Sequence, residues 1–163
     1  MQELKAQVQG VIEVIRQELK RLNFELTSII PKELEKSRSY GDLNENAEYH
    51  STKERQSFVE SRVSQLNRRL SELTHLNLER LSKETVGLFS QVQLEDDEGN
   101  LHEYAITLPE LVSNRSGGLS VSSPRARTLL GKAPGDRVRF PFDGTTVEAE
   151  VLKIINPWGE EVD

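Results

Sequence analysis

The sequence predicts an α+β protein: an N-terminal antiparallel helical coiled-coil hairpin, followed by a small α+β domain with an antiparallel sheet. The first 83 residues carry apolar residues at helical spacing on both sides of one glycine-containing break. Residues 84–158 carry short alternating segments between Gly, Pro and Asn turn signals, which are typical of strands. We therefore expect a hairpin domain at 1–83, a globular domain at 84–158 and a tail at 159–163.

The first arm of the hairpin has one apolar face. Its apolar residues recur at intervals of three or four, which places them on one side of a helix. They are Val8, Val11, Ile15, Leu19, Leu22, Leu26 and Ile29. Pro31 lacks the backbone donor that a helix interior requires, so we expect a kink or a short break near Ile30.

The second arm repeats the pattern as a regular heptad seam, formed by Val59, Val63, Leu66, Leu70 and Leu73. Between the arms, Gly41 suits a helix C′ position with positive φ. Each arm has about 35 residues, or roughly 50 Å at 1.5 Å per residue. Most arginines of the second arm are expected on a solvated face with i,i+4 ion pairs, although some could instead face RNA or the wall of a channel. These arginines are Arg55, Arg62, Arg68 and Arg69.

The globular domain is predicted as a small sheet with one short helix. Ser123 can cap that helix and Pro124 can occupy its first turn. Asn156 to Asp163 are expected to form a loose tail, with Trp158 as the exception. The predicted strands are Val86–Leu94 and Leu101–Leu108 around an acidic turn, then Val138–Phe140 and Thr146–Ile155 as a final hairpin.

Composition excludes several classes of site. The 163 residues include no cysteine, so disulfides and thiolate metal sites are excluded. Residues 1–83 hold 14 Lys+Arg and 13 Asp+Glu, and residues 84–163 hold 7 and 14, which gives net charges of +1 and −7. The acidic half argues against wrapping duplex nucleic acid by charge alone. No apolar run approaches the ~20 residues of a membrane span, and a signal-peptide pattern is lacking, so we expect a cytoplasmic protein without membrane contact.

The segment Gly41–His50, GDLNENAEYH, places two acids at the bend of the hairpin. Asp42 and Glu45 are three residues apart, which matches a capping box in which both carboxylates bind backbone N–H groups of a first helical turn. On spacing alone this is the commoner arrangement. Alternatively, the pair could share a Mg²⁺ ion. Because Mg²⁺ prefers six oxygen ligands, two side chains would need a partner that supplies the others.

This segment resembles the tip signature of the Gre family of bacterial transcript cleavage factors, the GreA type in particular. A second stretch is similar to the C-terminal signature of the family: Leu119–Pro124, Ala126, Leu129–Lys132 and Gly135–Asp136. The two motifs lie about 70 residues apart, one in each predicted domain, which makes coincidence a poor explanation. Three departures from the family pattern are Arg125, in place of an aliphatic residue, the later position of Pro31, and the tail with Trp158, which extends beyond the usual end.

The resemblance implies a transcription elongation factor that binds backtracked bacterial RNA polymerase through its secondary channel. It implies an FKBP-like globular domain at the channel rim, and tip acids Asp42 and Glu45 that share Mg²⁺ with the polymerase active site near the 3′ end of the nascent RNA. The polymerase then cleaves its own transcript, so the factor is not itself an enzyme and needs no cofactor of its own. Further polymerase contacts are expected at Leu43, Asn44, Asn46, Tyr49, Ser123 and Pro124.

Three other functions remain open from the sequence. A factor of the same shape could occupy the channel and inhibit the polymerase. An FKBP-like fold could have prolyl isomerase activity, although fold alone does not imply function. The arms could also dimerise as a plain coiled coil, but the break at Gly41 favours a hairpin that closes on itself, and hence a monomer.

Overall fold

The structure, a computed structural model, describes residues 1–42 and 46–163. Contacts divide the chain into two compact units: Ala6–Leu76, and Met1–Lys5 together with Asn77–Asp163. The division lies seven residues before the boundary that the sequence predicted. Long helices form the first unit and a sheet dominates the second, so the predicted α+β class is confirmed. In the part of the chain described, no helix has the length and apolar character needed to cross a bilayer.

The helical arms form the first unit. Helix α1 (Gln2–Phe24) leads through a π-helical segment (Glu25–Ile29) into α2 (Ile30–Arg38), and α3 (Ala47–Thr74) returns. The irregularity predicted near Ile30 is this π-helical segment, in which the Ile30 N–H donates to the Glu25 carbonyl, five residues back. Pro31 follows in the first turn of α2, where its missing donor is tolerated.

The π-helical segment shifts the apolar face by one residue. The face was predicted to continue through Ile29, but Ile29 is 42% exposed and Ile30 is fully buried. A π segment accommodates one extra residue, so the positions after it rotate relative to those before it. Before the segment, the predicted face residues Val8, Val11, Ile15, Leu19 and Leu22 are buried, and on the second arm so are Val59, Leu66 and Leu73.

Two arginines of α3 form ion pairs with the other arm. Arg55 donates from Nε and Nη2 to Glu25, at 2.6 and 3.1 Å. Arg62 binds Glu18 in the same two-pronged manner. The prediction of i,i+4 pairs along one helix is therefore wrong for both, whereas Arg69 does pair within its own helix, at i,i+3. The hydrogen bond from Arg55 lowers the pKa of Glu25.

The second unit is a six-stranded mixed sheet in the order β3-β2-β1-β5-β4, with β6 also paired to β5. Its elements are β1 (Gln91–Asp96), β2 (Leu101–Thr107), β3 (Gly118–Ser120), α4 (Pro124–Leu129), β4 (Arg137–Phe142), β5 (Thr145–Ile155) and β6 (Glu161–Val162), with 3₁₀ turns at Leu78–Arg80 and Pro109–Asn114. The sheet was predicted to be antiparallel, but β3 runs parallel to β2. The other strand pairs are antiparallel.

Helix α4 packs on the hydrophobic core of the sheet. Ala126 and Leu129 are fully buried there, among residues that include Leu94 and Val151. The Arg125 guanidinium carbon lies 5.8 Å from the centroid of the Phe140 ring, which is a cation–π contact. Arg125 therefore packs against the domain although it replaces the aliphatic residue of the family pattern.

The predicted first strand starts late. Strand β1 begins at Gln91 rather than Val86, because Phe89 has a φ of 65° and an extended backbone cannot continue through it. The Phe89 N–H instead donates to the Ile106 carbonyl at 2.8 Å. Val86 and Phe89 are nevertheless buried. Their apolar side chains therefore indicated a buried segment correctly, although this segment is not a strand.

The predicted loose tail is ordered into the sheet. Asn156 is 4% exposed, and its Oδ1 accepts from the N–H groups of Trp158 and Glu160. This Asn-centred turn directs the chain back, so that Val162 pairs with Ile154 across β5 and β6. The prediction of a tail at 159–163 is therefore wrong, because Glu161 and Val162 form a strand of the sheet.

Candidate functional site

The first arm ends in a helix C-terminus just before the acidic segment. Helix α2 ends at Arg38 with Ser39 as C-cap. Gly41 has a φ of 116°, so the predicted positive φ is confirmed, although Gly41 lies two residues beyond the C-cap rather than one. Such a φ suits glycine because it has no Cβ. The chain turns away from the helix here, and the next residue, Asp42, is exposed.

The second helix is capped by Asn46 and not by Asp42. Helix α3 begins at Ala47, and the Asn46 Oδ1 accepts from the Tyr49 N–H at 3.0 Å. Asp42 lies four residues before this N-cap, so its predicted role as the cap of the second helix is wrong. Asn is as favourable an N-cap residue as Asp, and here it occupies the position next to the first helical turn.

Asn46 also connects the two arms. Its Nδ2 donates to the carbonyl of Ser37 in the last turn of α2. Ser37 is 2% exposed, and its own hydroxyl donates to the Leu34 carbonyl at 3.0 Å. One side chain therefore caps α3 and adds a second donor to a carbonyl in the last turn of α2, which also accepts from the Tyr40 N–H at 3.2 Å.

Aromatic and cationic side chains surround this connection. The Tyr49 ring meets His50 edge-on with centroids 5.8 Å apart, and the Arg38 guanidinium carbon lies 6.0 Å from the Tyr49 centroid. Tyr40 is 61% exposed beside Gly41. Of the predicted contacts near the tip, Asn46 and Tyr49 thus belong to one local cluster.

The other predicted residues fall into two groups. Leu43, Asn44 and Glu45 lie outside the described residues. Ser123 and Pro124 belong to the sheet unit, where the Ser123 Oγ accepts from the Ala126 N–H at 3.1 Å and Pro124 starts α4. The predicted cap at Ser123 is confirmed.

The described residues do not by themselves form a metal centre. No group of three or more His, Cys, Asp or Glu side chains among them could hold a metal ion. Mg²⁺ prefers six oxygen ligands in near-octahedral geometry. The exposed carboxylate of Asp42 is a ligand type that Mg²⁺ accepts, but one carboxylate cannot supply six oxygen ligands.

Sequence reasoning missed the double role of Asn46. An Asn directly before an amphipathic stretch is a cap signal, and the signal was present at Asn46 as well as at Asp42. The cap was predicted at Asp42 because the spacing of Asp42 and Glu45 matches a capping box. The bond to Ser37 has no local signal, since it joins residues nine positions apart.

Comparison with known proteins identifies the family. A model described as "Transcription elongation factor, N-terminal" matches residues 9–74, and one described as "Transcription elongation factor, GreA/GreB, C-term" matches residues 81–156. The chain belongs to the GreA/GreB family of transcription elongation factors. The resemblance noted in the sequence is therefore confirmed, and both halves of the chain carry it.

Individual relatives agree with the family models. A "Transcription elongation factor GreA" of Acidiphilium cryptum is 38% identical over 138 residues, which cover 84% of this chain and 88% of that protein. Another, of Neisseria meningitidis serogroup A, is 35% identical over 156 residues, which cover 94% and 98%. Among solved structures, the GreA factor homolog 1 of Thermus thermophilus is 26% identical over 88% of this chain and 93% of that chain, with a TM-score of 0.41.

Proposed function

We propose that this GreA/GreB family member binds backtracked bacterial RNA polymerase and stimulates the polymerase's own Mg²⁺-dependent cleavage of the nascent transcript. In this proposal the hairpin enters the secondary channel, and the segment with Asp42 and Glu45 reaches the 3′ end of the RNA. The globular domain docks at the channel rim, with Ser123 and Pro124 close to the contact. The factor acts in trans and the polymerase carries out the hydrolysis.

The observation that carries the proposal is the position of Asp42 relative to the second helix. A capping box would account for Asp42 and Glu45 without any partner. Asn46 fills the cap position instead, and Asp42 lies four residues before it, exposed. Capping of the second helix therefore does not account for Asp42, and this supports the proposed role of its carboxylate toward a partner.

In the proposed reaction the factor would supply two carboxylate ligands and would not hold a complete metal site of its own. In a two-metal displacement at phosphorus, Mg²⁺ supplies charge that stabilises the attacking and leaving oxygens. Asp42 and Glu45 would add carboxylate ligands to an ion that the polymerase already holds in part. A factor of this kind raises the cleavage rate and leaves the identity of the reacting groups to the polymerase.

The decisive experiment measures transcript cleavage in a stalled, backtracked elongation complex. The intact protein is compared with Asp42→Asn and Glu45→Gln, and with Glu54→Gln, an exposed acid on the second arm, as the matched control. Folding is checked by circular dichroism, and polymerase binding by competition. We expect the intact protein and the control to release short 3′ RNA fragments, and the two tip variants to bind without accelerating cleavage.

Other results would assign another function. If the intact protein binds but slows the polymerase without cleavage, it is a channel-binding inhibitor of the same fold. If the tip variants cleave as well as the intact protein, Asp42 and Glu45 are not the functional acids. A proline-peptide assay on the intact chain tests the isomerase alternative, and sedimentation tests the expected monomer.

A further inference from the structure

We propose that one end of the sheet unit is a docking surface for a protein segment in which Lys or Arg side chains flank a large apolar residue. The surface is an open groove of about 840 Å³ between the β1–β2 turn and the β4–β5 turn, and we call it the turn groove. Its lining includes Glu98, Leu101, His102, Phe142, Val147 and Glu148. Ser123 and Pro124 do not line it, so this inference does not rest on the proposed polymerase contact.

The apolar face of the sheet extends beyond α4 into the turn groove. Residues two apart in a strand share a face, so Phe142 follows Phe140 on the same side of β4. Phe140 is buried in the core with residues of α4, whereas Phe142 is 39% exposed. Leu101, at the start of β2, is 58% exposed. An aromatic ring and a leucine are therefore open to solvent where the sheet ends.

The wall that carries Phe142 is held in place. The Phe142 ring meets His102 edge-on with centroids 4.8 Å apart. The His102 Nε2 lies 2.9 Å from Asp96 Oδ2, and these two side chains are 14% and 7% exposed. The Asn100 N–H also donates to Asp96, at 2.8 Å. A surface that is already ordered loses little conformational entropy when a partner binds.

The acidic charge of the sheet unit is concentrated around the turn groove. Seven acidic side chains and two arginines lie in the two turns and in the adjoining parts of β1, β4 and β5, and their net charge of −5 is most of the −7 of residues 84–163. The acids are Glu95, Asp96, Asp97, Glu98, Asp143, Glu148 and Glu150, and the arginines are Arg137 and Arg139. The arginines bind Asp97 and Glu148. The remaining negative charge favours a cationic partner.

Two of these acids lie opposite each other on neighbouring strands. Glu95 of β1 is in register with Glu150 of β5, and both residues are exposed. Like charges in directly opposite positions of a sheet repel each other. Arg137 lies opposite Glu150 on the other side, but its Nη2 donates to Asp97. A cation supplied by a partner would relieve this repulsion.

Other kinds of occupant fit the turn groove less well. In the described part of the chain, no group of three or more His, Cys, Asp or Glu side chains could hold a metal ion, so these acids do not form a metal site. Nucleic acid would be repelled by the negative charge. A second copy that presented the same groove would bring two acidic surfaces together. A protein segment with cations around an apolar side chain matches both the charge and the exposed rings.

The test titrates the ¹⁵N-labelled full-length protein with three synthetic peptides and follows the amide chemical shifts. The first peptide is Arg-Lys-Leu-Leu-Lys-Arg, the second has serine in place of both leucines, and the third has glutamate in place of every cation. Phe142→Ser and Leu101→Ser each remove an apolar residue of the groove. Phe24→Ser is the matched control, because Phe24 is 60% exposed on α1. Thermal unfolding of each variant is measured in parallel.

We expect the first peptide to shift the amide signals of Leu101, His102 and Thr146 in a saturable way. Phe142→Ser should weaken its binding about ten-fold, because a few apolar anchors provide most of the affinity of an interface. The serine peptide should bind the intact protein more weakly by a similar factor, and Phe24→Ser should bind the first peptide as the intact protein does. Added salt should weaken the binding by screening the charges. Leu101→Ser leaves the Phe142–His102 contact in place, so it tests the groove even if Phe142→Ser unfolds.

Four outcomes would overturn the inference. The absence of a saturable shift at millimolar concentrations of the first peptide would exclude a docking site of this kind. Equal binding of the serine peptide would show charge attraction without an apolar site. Unchanged binding by both Leu101→Ser and folded Phe142→Ser would place the peptide elsewhere on the protein. Dimerisation in sedimentation that Phe142→Ser abolishes would make a second copy of this chain the occupant.

Discussion

The Arg62 guanidinium binds the Glu18 carboxylate across the two arms of the hairpin, through Nε at 3.0 Å and Nη2 at 3.3 Å. Seven residues further along the first arm, Glu25 binds Arg55, seven residues earlier on the second. Both pairs therefore keep the same antiparallel register. Two-pronged arginine–carboxylate geometry favours one alignment of the helices over its neighbours.

Exchanging the charges of one pair should preserve this register. Glu18→Arg alone places two cations opposite each other and should lower the free energy of unfolding, and Arg62→Glu alone should act similarly through two anions. The double variant should recover most of the loss, with a coupling energy of about 0.5 kcal/mol for a partly exposed pair. Urea unfolding of the four proteins gives the cycle, and additive effects would show that the pair contributes no register energy.

Ile30 and Ile29 should respond very differently to truncation. Ile30 is fully buried and Ile29 is 42% exposed, so Ile30→Ala should cost about 2–5 kcal/mol and Ile29→Ala about 0.5 kcal/mol or less. An uninterrupted heptad pattern predicts the reverse order. Urea unfolding of both variants decides between them, and a larger loss for Ile29→Ala would mean that the π-helical segment is absent in solution.

This pair also marks where sequence reasoning ends in the hairpin. Spacing of three and four identified the buried face from Val8 to Leu22, because hydrophobic burial decides those positions. It could not reveal the one-residue shift at Ile30, since Pro31 predicts a disturbance but not its form. A kink, a break and a π-helical segment can each accommodate the N–H donor that proline lacks.

The candidate site and the tail were limited in another way. Local signals found the caps, and Ser123 was identified correctly because one candidate stood before α4. Two candidates, Asp42 and Asn46, stood before α3, and tertiary bonding to Ser37 favours the second. The pairing of Val162 with Ile154 likewise depends on a partner strand already in place, which a two-residue strand cannot signal.

Replacing Thr107 with valine should stabilise the protein. Thr107 is fully buried, and within the described part of the chain its Oγ1 has no hydrogen-bond partner. A buried unpaired hydroxyl costs roughly 1–3 kcal/mol, so Thr107→Val should raise the free energy of unfolding by about 1 kcal/mol. Ser90→Ala is the contrasting variant, since the buried Ser90 hydroxyl donates to the Gly87 carbonyl at 2.7 Å. That variant should lose stability, and equal losses in both would refute the prediction.

The sheet unit should lose stability in acid through Asp96. Hydrogen bonds from His102 and from the Asn100 N–H hold the pKa of this buried carboxyl well below its usual value of 3.8. The unfolded chain therefore binds a proton at higher pH than the folded protein does. The contribution of Asp96 is fully present above about pH 3.8 and is lost as pH falls below it.

Asp96→Asn isolates this contribution. The variant should be less stable than the intact protein at pH 7, and the difference should narrow as pH falls from 5 toward 2. Urea unfolding at several pH values measures this difference in stability. Asp163→Asn is the control, because Asp163 is exposed. A difference independent of pH would mean that the charge of Asp96 contributes nothing.

Ser123 should influence polymerase binding through the conformation of its loop. Its Oγ accepts from the Ala126 N–H and so fixes the start of α4, while its O–H can still donate to a partner without breaking the cap. Ser123→Ala should cost about 1 kcal/mol of stability, whereas Ser123→Asn keeps an equally good cap. If the loop conformation is what the polymerase recognises, affinity should fall for Ser123→Ala and be retained for Ser123→Asn. Exposed Ser122→Ala controls for the surface itself. Equal loss of affinity in both Ser123 variants, at retained stability of Ser123→Asn, would instead make the hydroxyl a direct contact, because the cap would then be intact while binding is lost.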